Sequence, residues 1–167
     1  PLAPNVDLKS LAKQTPGFTG ADLSNLINEG ALLAARQNKE VIDMRDLEMS
    51  IEKVLAGSEK KSKIISEKDK EITAYHEVGH ALVHVMNPDA SPLRKVSIIP
   101  RGMALGLTWS LPEEDQVHMT RNQLYAHIAT LLGGRVAEET VFGDVTTGAS
   151  NDLERVTSTA RKIVMAY

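Results

Sequence analysis

Apolar residues recur at three- and four-residue steps along most of the chain, and this period predicts helices. In the first third, helices are expected to begin near Asp7, Thr19 and Asp43, which are residue types that favour helix N-termini. Gly57 is expected to end the third helix. Residues 1–56 are therefore predicted to form an all-helical unit. Its inward-facing side chains are predicted to be Leu8, Leu11, Leu23, Leu26, Ile27, Gly30, Leu33, Ala34, Leu47, Ile51, Val54 and Leu55.

A polar run of Ser, Glu and Lys follows, and residues 57–68 are predicted to be a linker. The helical period resumes at residue 69 and stops at Asn87-Pro88, which predicts a helix with one buried side. The apolar stripe on that side consists of Ile72, Tyr75, Gly79, Leu82, Val83 and Met86.

Residues 93–100 alternate in polarity and are rich in β-branched types, which predicts a strand closed by Pro100-Arg101-Gly102. Residues 105–109 are expected to pair with it. Two further helices are predicted, one from Thr120 through Glu139 and one from Asn151 onward, with a loop at residues 142–150 between them. The fold class is therefore predicted to be mainly α with a short β element. In the two later helices the predicted inward positions are Leu124, Ile128, Leu131, Leu132, Leu153, Val156, Ala160, Ile163, Val164 and Tyr167.

Composition narrows the class of protein. The chain has 167 residues, 42% of them hydrophobic and 25% charged, which is ordinary for a globular protein. A formal charge of -3 and the lack of basic runs argue against nucleic acid as a partner. There is no apolar stretch of membrane-spanning length and no signal peptide, so we expect the fragment itself to be soluble. The lack of cysteine excludes disulfides and cysteine-ligated metal, and it fits a reducing compartment. Because it begins at Pro1 without Met and ends inside a helical pattern, we also expect it to be a fragment.

The predicted helix at residues 69–86 carries His76-Glu77-Val78-Gly79-His80, an H-E-x-x-H pattern. His76 and His80 are four residues apart and therefore lie on one helix face, where two neutral imidazoles can bind the same zinc ion. The neighbouring carboxylate of Glu77 can then act as a general base toward water. The alternative is a core helix whose histidines are merely hydrogen-bonded.

A third ligand has to come from elsewhere in the chain. His84 continues the same face, but eight helical residues rise about 12 Å, too far from His76 for one metal with bonds of about 2 Å. The metzincin extension is absent, because Val83 and Met86 stand where glycine and histidine are required. Four acids are candidates, each with a structural alternative such as pairing with Arg135, a turn or a helix-dipole contact. They are Glu138, Glu139, Asp144 and Asp152.

Metallopeptidase sites often bind peptide as an added strand, so the predicted strands near the metal helix could be a substrate template. A plain core strand is the alternative. A further carboxylate is expected to orient a histidine, since ligating imidazoles usually donate their other N–H to an acceptor.

Taken together, the motifs resemble those of the FtsH family of ATP-dependent zinc metalloproteases, also called AAA proteases. The resemblance rests on residues 76–80, 97–102, 132–139 and 147–152. It implies a zincin-type peptidase domain at residues 69–167, truncated at its C-terminus. It also implies that zinc is held by His76, His80 and Asp152 with Glu77 as base, and Glu138 remains the fallback ligand.

Residues 16–23 and 28–31 are similar to the helical lid of that family's ATPase module, which assigns residues 1–56 to the lid. The resemblance implies that Gly20 and Ala21 lie near the adenine of a bound nucleotide. Because the chain has no G-x-x-x-x-G-K-[ST] loop, ATP and Mg²⁺ are expected to bind mostly outside it, in a full-length protein.

For that full-length protein, the resemblance implies a homo-hexamer that degrades unfolded and membrane proteins in quality control. It also implies an N-terminal membrane anchor and a location at the cytoplasmic face of the bacterial inner membrane, or at an equivalent organelle membrane. Two other classes are open: a non-catalytic, zinc-stabilised assembly module, and a different metal hydrolase such as an amidase or deaminase. The deaminase is disfavoured because its usual ligands include cysteines, which the chain lacks.

Overall fold

The structure is a computed structural model that describes residues 1–59, 65–100, 105–110 and 118–167. Across these residues it contains α-helices, one two-stranded antiparallel sheet and a 3₁₀ turn, so the mainly α prediction is confirmed. In chain order the elements are α1 (Leu8–Lys13), α2 (Gly20–Arg36), α3 (Met44–Ala56), α4 (Glu67–Met86), β1 (Leu93–Ser97), β2 (Leu107–Ser110), α5 (Arg121–Phe142), the 3₁₀ turn (Thr147–Ala149) and α6 (Ser150–Met165).

Backbone contacts divide the chain into two compact units. The first unit contains Pro1–Lys61, and the second contains Ser62–Ile99 and Leu105–Tyr167. The division falls within the predicted linker, residues 57–68, of which 60–64 lie outside the described residues. Helix α4 begins at Glu67, so the second helical region starts two residues earlier than the predicted domain boundary.

In the first unit, α2 packs against α3. Leu26 of α2 and Leu47 and Ile51 of α3 are completely buried and form the centre of this contact. The helices start where the sequence predicts, because Thr19 and Asp43 each form a reciprocal capping box with the residue three positions later. Such boxes satisfy backbone N–H groups that the first helical turn leaves without partners.

Part of the inward-facing prediction for this unit is wrong. Two packed helices bury only the stripe along their contact, so apolar residues on the flanks of that stripe stay exposed. The residues predicted inward but exposed are Leu8, Leu23, Ile27 and Leu55.

The second unit is built on the contact between α4 and α5. The two helices meet at Gly79 and Gly133, where backbone touches backbone. A Cβ atom on Gly79 would lie 2.6 Å from the Cβ of Ala137 and 2.9 Å from the carbonyl carbon of Gly133. Only glycine therefore allows this approach, which places residues on the Gly79 side of α4 against α5.

This contact corrects the predicted orientation of α4. Of the predicted stripe, Tyr75, Leu82 and Met86 are exposed. The buried residues of the helix are His76, Glu77, Gly79 and His80. Because α5 covers the glycine face rather than the aliphatic face, α4 buries its polar motif.

The two strands pair antiparallel, with Leu93 opposite Ser110 and Ser97 opposite Leu107. Strand β1 is shorter than the predicted 93–100, and one reason is that the Ile99 N–H donates to Ser97 Oγ instead of to a neighbouring strand. Of the predicted closing turn, residues 101 and 102 lie outside the described residues. Both strands contact α4, so the sheet lies beside the helix that carries the H-E-x-x-H pattern.

Helix α6 begins directly after the 3₁₀ turn and packs against α5. Three residues predicted to face inward are exposed, namely Leu153 and Val164 in α6 and Tyr167 just after it. Among the described elements only α5 and the 3₁₀ turn contact α6 closely, so part of its apolar face stays exposed.

Candidate metal centre

Helix α4 brings the two motif histidines together in the interior of the second unit. His76 and His80 are one turn apart and are 9% and 7% exposed. Their rings are edge to face, with centroids 4.6 Å apart, and their Nε2 atoms are 3.0 Å apart. The two nitrogens therefore point to a common position beside the helix.

Asp152 completes a group of three at this position. The 3₁₀ turn leads into α6, and Asp152 lies in the first turn of that helix. Its Oδ2 atom is 3.3 Å from His76 Nε2 and 3.4 Å from His80 Nε2. These three residues form a group that could hold a metal ion, with all ligand atoms within 4.8 Å of one another.

The other ring nitrogen of each histidine has an acceptor. His76 Nδ1 lies 2.6 Å from Glu138 Oε1, and His80 Nδ1 lies 2.7 Å from the carbonyl oxygen of Thr130. The Gly134 N–H lies 3.3 Å from His80 Nδ1, but the shorter carbonyl contact requires the proton to be on that nitrogen. Both neutral rings are thus set as Nδ1–H tautomers, with the Nε2 lone pairs turned toward each other.

This donor set fits a tetrahedral metal ion. Two lone pairs 3.0 Å apart beside a carboxylate oxygen repel one another unless a cation or a proton lies between them. Two ligand atoms about 2.0–2.1 Å from zinc at a tetrahedral angle are about 3.3 Å apart. The three observed separations are 3.0, 3.3 and 3.4 Å. Two imidazoles and one carboxylate are also ligand types that zinc accepts, with a position left for water.

The electrostatic surroundings of Asp152 and His76 favour the charged form of each side chain. Burial opposes the ionised form, but hydrogen bonds that His76 and His80 donate when their rings are protonated hold the pKa of the Asp152 carboxyl well below its usual range. Burial likewise disfavours a charged His76, yet its pKa is raised because the protonated ring would donate to both Asp152 and Glu138. The centre therefore has an ionised carboxylate ready to balance a positive charge.

Glu77 lies on the same turn of α4 as His76 but points to a different neighbour. Its side chain is buried and its Oε2 accepts a hydrogen bond of 2.6 Å from the Thr108 hydroxyl of β2. Burial raises the pKa of Glu77, and the Thr108 hydrogen bond and the charges of His80 and His76 partly offset that rise. A buried carboxyl beside the two histidines is a candidate general base.

The remaining candidate acids lie elsewhere. Glu138 is 1% exposed and contacts the far nitrogen of His76, so it holds the imidazole from behind and lies outside the group of three. Glu139 and Asp144 are exposed, and Asp144 Oδ1 accepts the N–H of the next residue as in a turn. His84 also lies apart, with its Nδ1 3.1 Å from the carbonyl oxygen of Ser91.

Three neighbours of the centre were not predicted from the sequence as site residues. Thr130 contributes a backbone carbonyl, which every residue has. Gly134 lies against the His76 ring, where a Cβ would come within 2.6 Å of Cε1 and Nε2. Thr108 was visible only as part of a predicted strand, and its contact with Glu77 depends on how the sheet packs on α4.

Comparison with known families identifies the chain. The family model described as peptidase family M41 matches residues 63–167, well over half of the sequence. The chain belongs to peptidase family M41. A second family model, the AAA+ lid domain, matches residues 5–49 of this M41 chain. The resemblance to the FtsH family noted from the motifs is thereby confirmed.

Curated relatives match the M41 chain from end to end. ATP-dependent zinc metalloprotease FtsH of Rubrobacter xylanophilus is 59% identical over 167 residues, covering 100% of this chain and 26% of that protein. The protein of the same name from Chlorobium luteolum is 57% identical, covering 99% and 24%. The one from Thermotoga maritima is 56% identical over 165 residues, covering 98% and 27%. The M41 chain spans about a quarter of the length of these relatives.

The lid-like residues of the M41 chain lie in the first unit. Gly20 opens α2 directly after the Thr19 cap, and Ala21 follows it. A Cβ atom on Gly20 would meet nothing within 4 Å, so the backbone surface there is open. Among the described helices, none is both long and apolar enough to cross a bilayer.

Proposed function

We propose that the chain carries the peptidase site and the lid segment of an ATP-dependent zinc metalloendopeptidase. The observation that carries the proposal is the convergence of His76 Nε2, His80 Nε2 and Asp152 Oδ2 within 3.0–3.4 Å of one another, with Glu77 beside them. The names of the relatives, which describe them as ATP-dependent zinc metalloproteases, agree with it. His76, His80 and Asp152 are the proposed zinc ligands.

Zinc bound by these three residues would supply the positive charge that polarises a water molecule and a peptide carbonyl. The chain's own residues do the rest. Glu77 takes a proton from the attacking water while the water oxygen bonds to the carbonyl carbon. When the C–N bond breaks, Glu77 delivers that proton to the departing amine. Glu138 and the Thr130 carbonyl keep the two imidazoles turned so that both Nε2 atoms face the same point.

The wider activity is part of the same proposal. ATP and Mg²⁺ would bind mainly to a part of the protein outside this chain, and Gly20 and Ala21 would lie next to the nucleotide. A homo-hexamer held at a membrane by an N-terminal anchor, on the cytoplasmic side or its organelle equivalent, would feed unfolded and membrane polypeptides to the site. Residues 1–56 would act as lid, 57–68 as linker and 69–167 as peptidase.

Zinc content tests the proposed ligands directly. The purified chain should hold about one zinc by atomic emission, and Asp152→Ala should hold much less because the site loses its only anionic ligand. Asp144→Ala is the matched control, since it removes an exposed acid eight residues before Asp152 and should leave zinc unchanged. Equal zinc in the parent and Asp152→Ala would contradict the ligand set.

The role of Glu77 needs a cleavage assay. We would insert this chain in place of the matching quarter of the Rubrobacter xylanophilus protease, which is 59% identical to it. Glu77→Gln should keep zinc but lose peptide cleavage by at least about a hundredfold, because the amide cannot accept the proton. Cleavage by Glu77→Gln at the parent rate would contradict the role of Glu77 as general base. It would favour a non-catalytic assembly module in which zinc is structural.

A further inference from the structure

Strand β2 holds the carboxylate of Glu77 in one orientation. The Thr108 hydroxyl lies 2.6 Å from Glu77 Oε2 and 3.1 Å from the backbone oxygen of the same residue. A hydroxyl has one proton, and the shorter contact to a charged oxygen is where it is donated. The hydroxyl therefore ties the end of the Glu77 side chain to the sheet.

Gly106, the residue before β2, allows the chain to approach Glu77 closely because it has no side chain. Gly106 and Thr108 are two residues apart, so in extended backbone they face the same side, toward Glu77. A Cβ atom on Gly106 would lie 2.6 Å from Glu77 Cγ and 2.8 Å from Cδ, and it would also collide with Oε1. The chain thus packs closely against the Glu77 carboxylate at Gly106 and donates a hydrogen bond to it at Thr108.

The two carboxylate oxygens are left in different environments. Oε2 accepts from Thr108, whereas Oε1 lies against the backbone of Gly106 and receives no hydrogen bond from the described part of the chain. A general base needs one oxygen free to take a proton and a fixed direction in which that oxygen points. A glutamate side chain has several rotatable bonds, so it does not keep such a direction without a partner.

We infer that Thr108 is a positioning residue for the proposed reaction: its hydroxyl anchors Oε2 of Glu77 so that Oε1 is the oxygen that exchanges the proton with water and with the departing amine. This inference rests on the proposed function, because it assigns a partner to the proposed base. Among the described residues, the hydrogen-bond contacts of the Thr108 hydroxyl are all with Glu77, so its proposed effect on the reaction is exerted through that residue. The competing explanation is that Thr108 only fills space between β2 and α4 with its methyl group.

Two substitutions distinguish the effect of the Thr108 hydroxyl from the effect of its side-chain shape. Thr108→Val keeps the branched shape and removes the hydroxyl, while Thr108→Ser keeps the hydroxyl and removes the methyl group. Thr140→Val is the matched control, because its hydroxyl donates to the Val136 carbonyl on an exposed part of α5, away from Glu77. All three are made in the chimeric protease and in the chain itself.

In the chimera, Thr108→Val should lower kcat for a fluorogenic peptide about tenfold to a hundredfold and leave KM within about twofold. Thr108→Ser should restore most of kcat, and Thr140→Val should match the parent. Parent-like kcat in Thr108→Val would overturn the inference. So would a Thr108→Ser variant as slow as Thr108→Val, since that pattern indicates a packing role.

Two measurements on the chain do not depend on activity. Zinc content of Thr108→Val should equal that of the parent, because the ligands are untouched, and a crystal structure of the zinc-loaded variant should show the Glu77 carboxylate turned from its position. An unmoved carboxylate, or a loss of zinc, contradicts the inference. Glu77→Gln distinguishes failure of this inference from failure of the proposed function. If Glu77→Gln is inactive while Thr108→Val cleaves like the parent, only the role of Thr108 is contradicted. If Glu77→Gln is active, the proposed function is contradicted as well.

Discussion

At the scale of single residues, Glu138 joins two parts of the metal centre. One carboxylate oxygen accepts from His76 Nδ1 at 2.6 Å, and the other accepts the backbone N–H of Thr146 at 2.7 Å. Thr146 precedes the 3₁₀ turn that leads to Asp152. A single buried side chain therefore sets the orientation of an imidazole on α4 and holds the segment that delivers the carboxylate from α6.

We predict that Glu138→Gln weakens zinc binding about tenfold to a hundredfold. Glutamine has one acceptor oxygen and one NH₂ group, so it cannot accept from both His76 and Thr146, and one of these donors loses its partner. Competition with a chromophoric chelator measures the affinity. Glu139→Gln, the exposed neighbour, serves as the control and should bind like the parent.

A complete loss of zinc binding in Glu138→Gln would change the assignment of the ligands. If Glu138→Gln bound no zinc at all while Asp152→Ala still did, Glu138 would be a ligand and Asp152 its support. The geometry argues for the opposite arrangement, because Glu138 contacts Nδ1 of His76 on the side away from His80 Nε2.

At the scale of elements, the contact between α4 and α5 sets the register of the centre. Gly79 and Gly133 bring the two backbones together, and this approach puts His80 Nδ1 at the carbonyl of Thr130 and the His76 ring over Gly134. The position of the histidines relative to α5 thus depends on two residues that have no side chains.

We predict that Gly79→Ala destabilises the second unit by about 1–3 kcal/mol through overpacking. In an isolated helix the same change would stabilise by about 0.5–1 kcal/mol, so the sign itself reports the close contact. Urea unfolding followed by the fluorescence of Trp109, the only tryptophan, measures it. Val85→Ala, at a 70% exposed position of α4, should change stability by less than about 0.5 kcal/mol. A stabilised Gly79→Ala would contradict the packing.

The elements also show what the sequence could predict. Helix starts at Thr19, Asp43 and Thr120 were predictable because a capping box uses residues three positions apart. The shared face of His76 and His80 was also predictable, because residues four apart in a helix lie one turn apart on the same face.

Burial was harder to predict, because it depends on which neighbour covers a helix. Val164 and Tyr167 fit the helical period but are exposed, and α4 buries its polar motif in place of Leu82 and Met86. Spacing likewise could not single out Asp152, among four candidate acids, as the one that lies beside His76 and His80. That choice depends on how the 3₁₀ turn and α6 fold back onto α4, which the motif resemblance suggested and local pattern did not.

At the scale of the whole molecule, the chain consists of two units with different contents. The unit containing Pro1–Lys61 holds the residues that match the AAA+ lid, and the other holds every residue of the metal centre. Ligand binding stabilises only the folded state that contains the site.

We therefore predict that zinc stabilises the two units unequally. Free zinc at about a hundred times its dissociation constant should add about 2.7 kcal/mol to the unit that binds it. In urea, the midpoint reported by Trp109 should rise, while the midpoint reported by methyl NMR signals of Leu47 and Ile51 should stay within error. Equal shifts of both midpoints would show that the two units unfold as one.

The wide separation of the ligands along the chain has a consequence for biosynthesis. The ribosome completes α4, with both histidines, roughly seventy residues before it reaches Asp152, which at 5–20 residues per second is about 4–14 s. During that interval the nascent polypeptide holds two imidazoles without the carboxylate that makes the third ligand. The three proposed ligands can therefore come together only after the start of α6 has been synthesised, so zinc binding at this site must follow the folding of α4 and α5.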